Sequence, residues 1–281
     1  MAIHALAFAA LLPVLSALAP MTAEPETAPE RVGEAYPLNT CAVSGEAFEE
    51  GDVPVVKIID GREVKFCCDD CVAKYEADPA EYGEKLDAAI IEAQRLHYPI
   101  DTCIISGGEL GGMGDPIEIV YNNRLVRFCC AMCEPKFRKD PAAALAKLDA
   151  QIIEAQREAY PLNECLISGE VFGTGEDQVE NPIEFVVANR LFRVCCDHCK
   201  QDVTDNSAEY LAQLDMAYAD AQRDSYPMTT CAVSGEDLGG MGDPVEIVAG
   251  NTLVKLCCNS CVKKVKADPT KYTAMVHAAK D

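Results

Sequence analysis

The chain has 281 residues, a formal net charge of −22 and 16 cysteines, but no tryptophan and only 6% aromatic residues. So acidic a protein is poorly suited to bind nucleic acid or anionic lipid, because both ligands are themselves negatively charged. The cysteines mark a repeat of about 60 residues, a size at which an apolar core alone gives marginal stability. We therefore expect the cysteines to stabilise small repeated units.

The first segment is a candidate export signal. Residues 1–19 contain no Asp, Glu, Lys or Arg, and their apolar stretch ends in small residues. This stretch is too short for a membrane span and resembles a secretory signal peptide, which we place at residues 1–23. Residues 24–35 are rich in Pro, Glu and Ala and predict a flexible leader. No later segment has the roughly 20 apolar residues that cross a bilayer, so we expect an exported protein without a membrane span.

Four repeats follow, and we place them at residues 36–97, 98–159, 160–225 and 226–281. Each opens with Tyr-Pro, which ends a preceding helix because proline disfavours helical backbone in the residue before it. Each continues with Cys-x-x-Ser-Gly, where the glycine permits a tight knuckle turn. The leading cysteines of these motifs are 62, 62 and 66 residues apart, and they are Cys41, Cys103, Cys165 and Cys231.

Two short strands and a double cysteine come next in every repeat. In the first repeat, alternating runs at Val55–Ile59 and Glu63–Phe66 flank Asp60-Gly61, a typical hairpin turn. A Cys-Cys-x-x-Cys motif follows each hairpin. Its cysteines are Cys67, Cys68 and Cys71, then Cys129, Cys130 and Cys133, then Cys195, Cys196 and Cys199, and finally Cys257, Cys258 and Cys261.

Two helices are expected after each double cysteine. The spacing of four residues between the last cysteine and an apolar residue predicts a short helix with both on one face. Asp78-Pro79 and its counterparts then predict the N-cap and first residue of a longer helix. In the third repeat, Asn206 and Glu209 have the spacing of a capping box instead. We expect the longer helices to separate the modules like spacers rather than to build one shared core, and we place them at Pro79–Leu96, Pro141–Ala159 and Ser207–Asp224.

Four thiols per repeat, with none left over, match the stoichiometry of a tetrahedral thiolate metal site. In the first repeat Cys41 would come from the knuckle, whereas the other three thiols would lie near one face where strand becomes helix. The second knuckle cysteine of an ordinary site is replaced by Ser44. We therefore infer that the adjacent thiol of the Cys-Cys pair supplies the fourth ligand, which makes all 16 cysteines candidate ligands.

These motifs resemble the TRASH/YHS type of small metal-binding domain. The resemblance rests in the first repeat on Phe66-Cys67-Cys68-Asp69-Asp70-Cys71 and on the aromatic and Asp-Pro residues that follow, and the second repeat matches equally well. This family implies a treble-clef-like fold and a role in heavy-metal sensing, trafficking or resistance. Its usual pair of cysteines corresponds to Cys67 and Cys71 here, so Cys68 and its counterparts are additional.

We accordingly predict an α+β protein of four tandem treble-clef-like modules, each with a knuckle, a β-hairpin and a short helix, joined by α-helical spacers. Zinc is the favoured ion, because four thiolates form a closed, redox-inert tetrahedral site. Copper(I) is the alternative, since it also prefers soft thiolates. The sequence has no Ser/His/Asp set, phosphate-binding loop or recurrent carboxylate pair. We therefore predict a non-enzymatic protein that sequesters, buffers or delivers a soft metal ion.

Three other interpretations use the same cysteines. Structural disulfides form readily in exported proteins, and pairs such as Cys41 with Cys71 remain open. Cys68-x-x-Cys71 at a helix start is also the spacing of a redox motif, although one reactive pair would be more typical of such an enzyme than four matched quartets. Finally, the protein would be an interaction scaffold if metal or disulfides only stabilise its modules. The sequence identifies no particular protein partner.

Overall fold

The computed structural model describes residues 30–49, 51–240 and 242–280, so the predicted signal peptide at residues 1–23 lies outside the described residues. Within these ranges the protein is α+β, with four separate β-hairpins and eight helices. The strands are β1 (Val55–Ile59), β2 (Arg62–Phe66), β3 (Ile117–Tyr121), β4 (Arg124–Phe128), β5 (Ile183–Val187), β6 (Arg190–Val194), β7 (Val245–Ala249) and β8 (Thr252–Leu256). The helices are α1 (Asp69–Ala77), α2 (Pro79–Arg95), α3 (Glu134–Phe137), α4 (Pro141–Gln156), α5 (Asp197–Asp205), α6 (Ser207–Arg223), α7 (Asn259–Ala267) and α8 (Pro269–Ala278).

Each hairpin is an antiparallel pair whose register is set by a two-residue turn. In the first module Val55 pairs with Phe66 and Ile59 pairs with Arg62. The turn between them is formed by Asp60 and Gly61, whose φ angles are 51° and 81°. Glycine and aspartate tolerate this left-handed backbone, which matches the twist of the two strands. The predicted hairpin is confirmed, with β2 beginning one residue earlier than expected.

The longer helices begin where the sequence predicts. The side chains of Asp78, Asp140 and Asp268 each accept a hydrogen bond from the backbone N–H three residues on, at 3.0, 3.0 and 3.2 Å. The predicted capping box of the third module is wrong, because the amide of Asn206 donates instead to the carbonyl of Asp202 at 3.2 Å. Helices α2, α4 and α6 end one to three residues before their predicted ends.

The second module departs from the others at its short helix. Helix α3 has only 4 residues, whereas α1, α5 and α7 have 9 each. Pro135 explains the difference, because a helix that began at Ala131 would need the N–H that proline lacks. The preceding residues Cys130–Cys133 therefore form a turn.

Every module has a small apolar core that includes its leading and closing cysteines. In the first module Phe66, Leu86 and Ile90 are almost fully buried around Cys41 and Cys71. The equivalent cysteines of the other modules also belong to apolar clusters. The sulfur atoms thus lie where the strands and the two helices of a module meet.

The modules are in contact with one another, so the expectation of helical spacers between separate modules is wrong. Helix α2 packs on the hairpin β3–β4 of the next module, α4 packs on β5–β6, and α6 packs on β7–β8. Helix α2 also contacts α7 of the fourth module, and Leu96 belongs to the apolar core there. The fourth module therefore touches the first, and the array folds back on itself.

A repeated glutamine fixes each helix to the next hairpin turn. The Gln94 side chain donates to the carbonyl of Asn123 at 2.7 Å and accepts from the N–H of Leu125 at 2.8 Å. Two further glutamines bond the following hairpins in the same way, Gln156 at the third and Gln222 at the fourth. A polar group buried without a partner is costly, so these paired bonds orient each module against the next.

The turn asparagines extend this polar contact through the centre of the protein. Asn123 and Asn189 are fully buried, with 0% of their surfaces exposed. The amide of Asn189 donates to the Gln94 side chain at 2.9 Å, and its oxygen accepts from Arg124 Nε at 3.0 Å. Arg62 Nε makes the equivalent bond to Asn123 at 2.7 Å. The first three modules therefore share one buried hydrogen-bond network.

The last residues of the predicted flexible leader also contact this centre. The N–H of Val32 donates to the carbonyl of Gly61 at 2.7 Å. The Glu34 carboxylate accepts from the N–H of Ala188 at 2.7 Å. Residues 30–35 are thus held against the hairpin turns, and the prediction of a flexible segment fails for them; residues 24–29 lie outside the described residues. In the parts of the chain that the structure describes, no helix combines the length and apolar character needed to cross a bilayer.

Candidate metal centre

The knuckle turn positions the leading cysteine of each module. In the first module the N–H of Cys41 donates to the carbonyl of Glu46 at 2.8 Å, and the N–H of Gly45 donates back to the carbonyl of Cys41 at 3.0 Å. Gly45 has a φ of 71°, which side chains disfavour. A bond from Ala42 N–H to the carbonyl of Lys65, at 3.0 Å, ties the knuckle to β2. The leading thiol is thereby fixed beside the end of the hairpin.

Three sulfur atoms converge in every module. The leading cysteine meets the first cysteine of the Cys-Cys pair and the closing cysteine of the motif, and all three sulfurs lie within 4.8 Å of one another. We call each such group a triad. The triads are Cys41, Cys67 and Cys71, then Cys103, Cys129 and Cys133, then Cys165, Cys195 and Cys199, and finally Cys231, Cys257 and Cys261.

The distances between these sulfurs suit a shared metal ion. The Cys67–Cys71 and Cys195–Cys199 pairs are 3.5 and 3.6 Å apart, and Cys231–Cys261 is 3.9 Å. A tetrahedron of thiolates with zinc–sulfur bonds of about 2.3 Å has edges of about 3.8 Å. The triads therefore offer three ligands with the separation that one soft ion requires.

The second cysteine of each pair lies beside its triad. We call these residues the rim cysteines, and they are Cys68, Cys130, Cys196 and Cys258. The sulfur of Cys196 is 3.5 Å from that of Cys195 and 3.7 Å from that of Cys199. None of the rim cysteines belongs to the set of sulfurs that are all within 4.8 Å of one another. The structure brings together three of the four predicted ligands of each module and leaves the fourth at the edge.

A serine replaces the second knuckle cysteine and contacts the first cysteine of the pair. The hydroxyl of Ser106 is 3.1 Å from the Cys129 sulfur, and the distances at Ser168 and Ser234 are 3.4 and 3.3 Å. At Ser44 the separation is 3.9 Å. A hydroxyl in this place supports a ligand sulfur by hydrogen bonding, a role that the sequence analysis did not assign to it.

Hydrogen bonds lower the pKa of the leading thiols. Burial alone would raise the pKa of Cys41, but hydrogen bonds to its sulfur from Ser44, from the backbone of Cys67 and from the backbone of Val43 lower the pKa to about 6. The same balance lowers the pKa of Cys103 and Cys231 to about 6 and that of Cys165 to about 7. Each triad therefore has one thiol that is ionised near neutral pH, and the thiolate is the form that could bind a metal ion.

The pKa values of the closing thiols are raised rather than lowered. Burial, together with hydrogen bonds and charge from the neighbouring thiols, raises the pKa of Cys133 and Cys261 to about 12. The pKa values of Cys71 and Cys199 are raised by the same causes. Several thiols crowded into one buried space cannot all ionise unless a cation joins them. A cation bound among the three sulfurs would favour ionisation of the closing thiol.

The cysteines do not form disulfides in this structure. All 16 cysteines lie in the described ranges and are free thiols. The sulfur contacts of 3.5 Å and more are far from the bond length of about 2.05 Å that a disulfide requires. Their spacing matches ligands around an ion rather than bonded pairs.

Comparisons with known proteins found no relative of this chain. No protein-family model matches the chain, and neither the curated proteins nor the solved structures include a match.

The two thiols of a Cys-Cys pair should differ in reactivity. The backbone N–H of Cys199 and the Cys195 thiol lower the pKa of the exposed Cys196, whereas burial and its neighbours raise the pKa of Cys195 to about 11. We expect brief iodoacetamide treatment of the metal-free protein at neutral pH to label Cys196 before Cys195. Tandem mass spectrometry of the tryptic peptide after Arg193 distinguishes the two positions. Labelling of both at one rate would contradict the assigned pKa difference, and the unfolded protein provides the equal-rate control.

Proposed function

We propose that the protein is an exported, non-enzymatic metal-binding protein that sequesters, buffers or delivers a soft metal ion. The observation that carries this proposal is the convergence of three sulfurs in each of four modules. Zinc is the favoured ion, since its tetrahedral thiolate sites have the observed sulfur separations. Copper(I) is the alternative, because soft thiolates also suit it in sites with fewer ligands.

Two further parts of the proposal rest on the sequence. The resemblance to TRASH/YHS domains supports a role in heavy-metal handling and a treble-clef-like ancestry for the module. The apolar segment within residues 1–23 supports export to the periplasm or the extracellular space. N-terminal sequencing of the protein recovered from outside the cytoplasm would test export, and a retained Met1 would contradict it.

A scaffold is the second candidate, and the position of the triads favours it. The leading and closing cysteines are at most 6% exposed and lie in the apolar cores. A metal ion there would strengthen modules that are small on their own. Tight zinc that neither chelators nor partner proteins can withdraw would identify a scaffold, whereas ready exchange would identify a metal-handling protein.

Metal titration followed by mass spectrometry tests the proposal directly. We expect native mass spectra to show up to four zinc ions per chain, one for each triad. The metal-free protein should retain 16 reactive thiols when it is unfolded without reductant. Fewer than one reactive thiol per module under those conditions would show disulfides and overturn the proposal.

The number of protons released on zinc binding should depend on pH. The closing thiols have raised pKa values, so each would release a proton to solvent on binding the metal ion at any pH below about 10. The leading thiols, with pKa values of about 6 to 7, are mostly ionised at about pH 8 and protonated at about pH 5. We therefore expect about one additional proton per site at the lower pH, and a lower apparent affinity. Calorimetry in buffers of different ionisation enthalpy counts these protons, and a pH-independent count would contradict the pKa assignments.

A further inference from the structure

We propose that each rim cysteine is a removable fourth ligand, and that a thiol of an acceptor molecule takes its place to withdraw the metal. This inference rests on the proposed function and specifies the class of partner, namely a thiolate-bearing acceptor. It also predicts that the triad alone retains the ion. Three features of the structure support it.

The first feature is the difference in burial between the leading and closing cysteines of each triad, which are buried, and the rim cysteines, which are exposed or partly exposed. In the first module the leading and closing cysteines are 2% and 5% exposed and belong to the apolar core, whereas Cys68 is exposed and lies outside that core. In the third module Cys196 is likewise exposed and outside the core cluster. An incoming thiol can therefore reach the rim sulfur without disturbing the packed residues.

The second feature is the placement of the rim sulfur relative to the triad. It approaches the first cysteine of its pair, at 3.8 Å for Cys68 and 4.0 Å for Cys130, but does not join the group of mutually close sulfurs. A small rotation of its side chain would bring it to the ion or away from it. The leading sulfur has less freedom to rotate, because Cys41 is buried in the apolar core and Cys68 is exposed.

The third feature is that a serine takes the place of a second knuckle cysteine. Ser106, Ser168 and Ser234 place a hydroxyl against a triad sulfur within 3.4 Å. A thiolate in place of this serine would complete a closed site of four thiolates. With serine there, the only additional thiol near each triad in the described part of the chain is the rim cysteine.

The exchange step requires no change in oxidation state. The acceptor thiol loses its proton to solvent, and its sulfur forms a bond to the metal ion. The bond between the ion and the rim sulfur breaks, and the rim thiolate takes a proton from solvent. The ion then has three protein ligands and one acceptor ligand, from which transfer to a second acceptor thiol can proceed.

The modules should release their ions at different rates. Cys130 and Cys258 are only partly exposed and pack against the cores of the second and fourth modules. The Cys258 sulfur also lies 3.0 Å from the hydroxyl of Ser260. Because Cys68 and Cys196 are exposed, the first and third modules should lose zinc to an acceptor thiol first.

The experiment compares two sets of substitutions in the full chain loaded with zinc. One variant carries C68S, C130S, C196S and C258S, and the matched control carries C41S, C103S, C165S and C231S. Both replace one thiol per module by a hydroxyl. Native mass spectrometry counts the zinc ions on each protein before and during incubation with excess dithiothreitol.

We expect the rim variant to bind four zinc ions and to lose them to dithiothreitol about tenfold faster than the unmodified protein, because one coordination position is already open. The control variant should fail to retain zinc. Either loss of zinc from the rim variant at the outset or transfer at the unmodified rate would overturn the inference while leaving metal binding intact. Failure of the unmodified protein to bind zinc would instead overturn the proposed function.

Discussion

Removal of bound zinc with EDTA is expected to lower the melting temperature of the protein by tens of degrees. The leading and closing cysteines of each triad belong to an apolar core, so metal binding would be linked to folding. At a free zinc concentration 1,000 times the dissociation constant, each site contributes about 4 kcal/mol to the free energy of unfolding. For a chain of this size, 1 kcal/mol corresponds to about 2–4 °C. Calorimetric melting with excess zinc and with EDTA measures the difference.

A variant without triads provides the control for that experiment. The C41S, C103S, C165S and C231S protein should melt at one temperature whether zinc or EDTA is present. Contacts between modules should also make the unmodified protein melt in fewer transitions than it has modules, since α2, α4 and α6 each pack on the next hairpin. Equal melting temperatures of the unmodified protein with zinc and with EDTA would show that the triads are not occupied.

The substitution Gln94→Ala is expected to reduce the free energy of unfolding by about 3–6 kcal/mol. It would leave the carbonyl of Asn123 and the N–H of Leu125 without a partner, and the Asn189 amide would keep only its bond to the carbonyl of Leu125. Each unsatisfied buried group costs about 1–3 kcal/mol, and a water molecule could replace only part of the network. Urea denaturation of the zinc-loaded protein measures the loss.

Gln222→Ala is the matched control for this prediction. Gln222 makes the same two bonds to the next hairpin, to the carbonyl of Asn251 and from the N–H of Leu253, at 3.0 and 3.1 Å. It is partly exposed, so water can replace its bonds, and we expect a loss of about 1–3 kcal/mol. If both substitutions reduce the free energy of unfolding equally, the central network does not stabilise the contact between neighbouring modules beyond the two glutamine bonds.

The local structure of each module follows from its sequence. Short alternating strands around a turn at Asp60 and Gly61 specify the hairpin, and Asp78 before Pro79 specifies the start of α2. Leu86 and Ile90 are one helical turn apart on α2, and both are buried on the same face. These features depend on neighbouring residues alone, and for that reason they could be predicted.

The packing between modules could not be predicted in the same way. Polar side chains near a helix end normally face solvent, so Gln94 gave no sign of burial by its residue type. The signal that was present is the recurrence of Ala-Gln-Arg at the ends of α2, α4 and α6. In all three the arginine pairs with a glutamate in the next hairpin, as Arg95 does with Glu118 at 2.9 Å. A polar motif that recurs with the period of the modules therefore indicates an interface between neighbouring modules.

The cysteine cluster was predicted from its elements with four thiols per module, and the structure gathers three of them. The knuckle and the strand–helix junction bring Cys41, Cys67 and Cys71 together as the motif spacing suggested. The position of Cys68 depends on a side-chain rotation at the junction, which spacing alone does not determine. Its role as the fourth ligand therefore remains a prediction.

The shared glutamine has a consequence for how such a protein can change during evolution. Gln94 belongs to the first module but bonds a turn in the second and a side chain in the third. Duplicating, deleting or exchanging one unit would therefore break contacts made by units that were not altered. Although the sequence is a tandem array of similar modules, the contacts between the modules require them in this order.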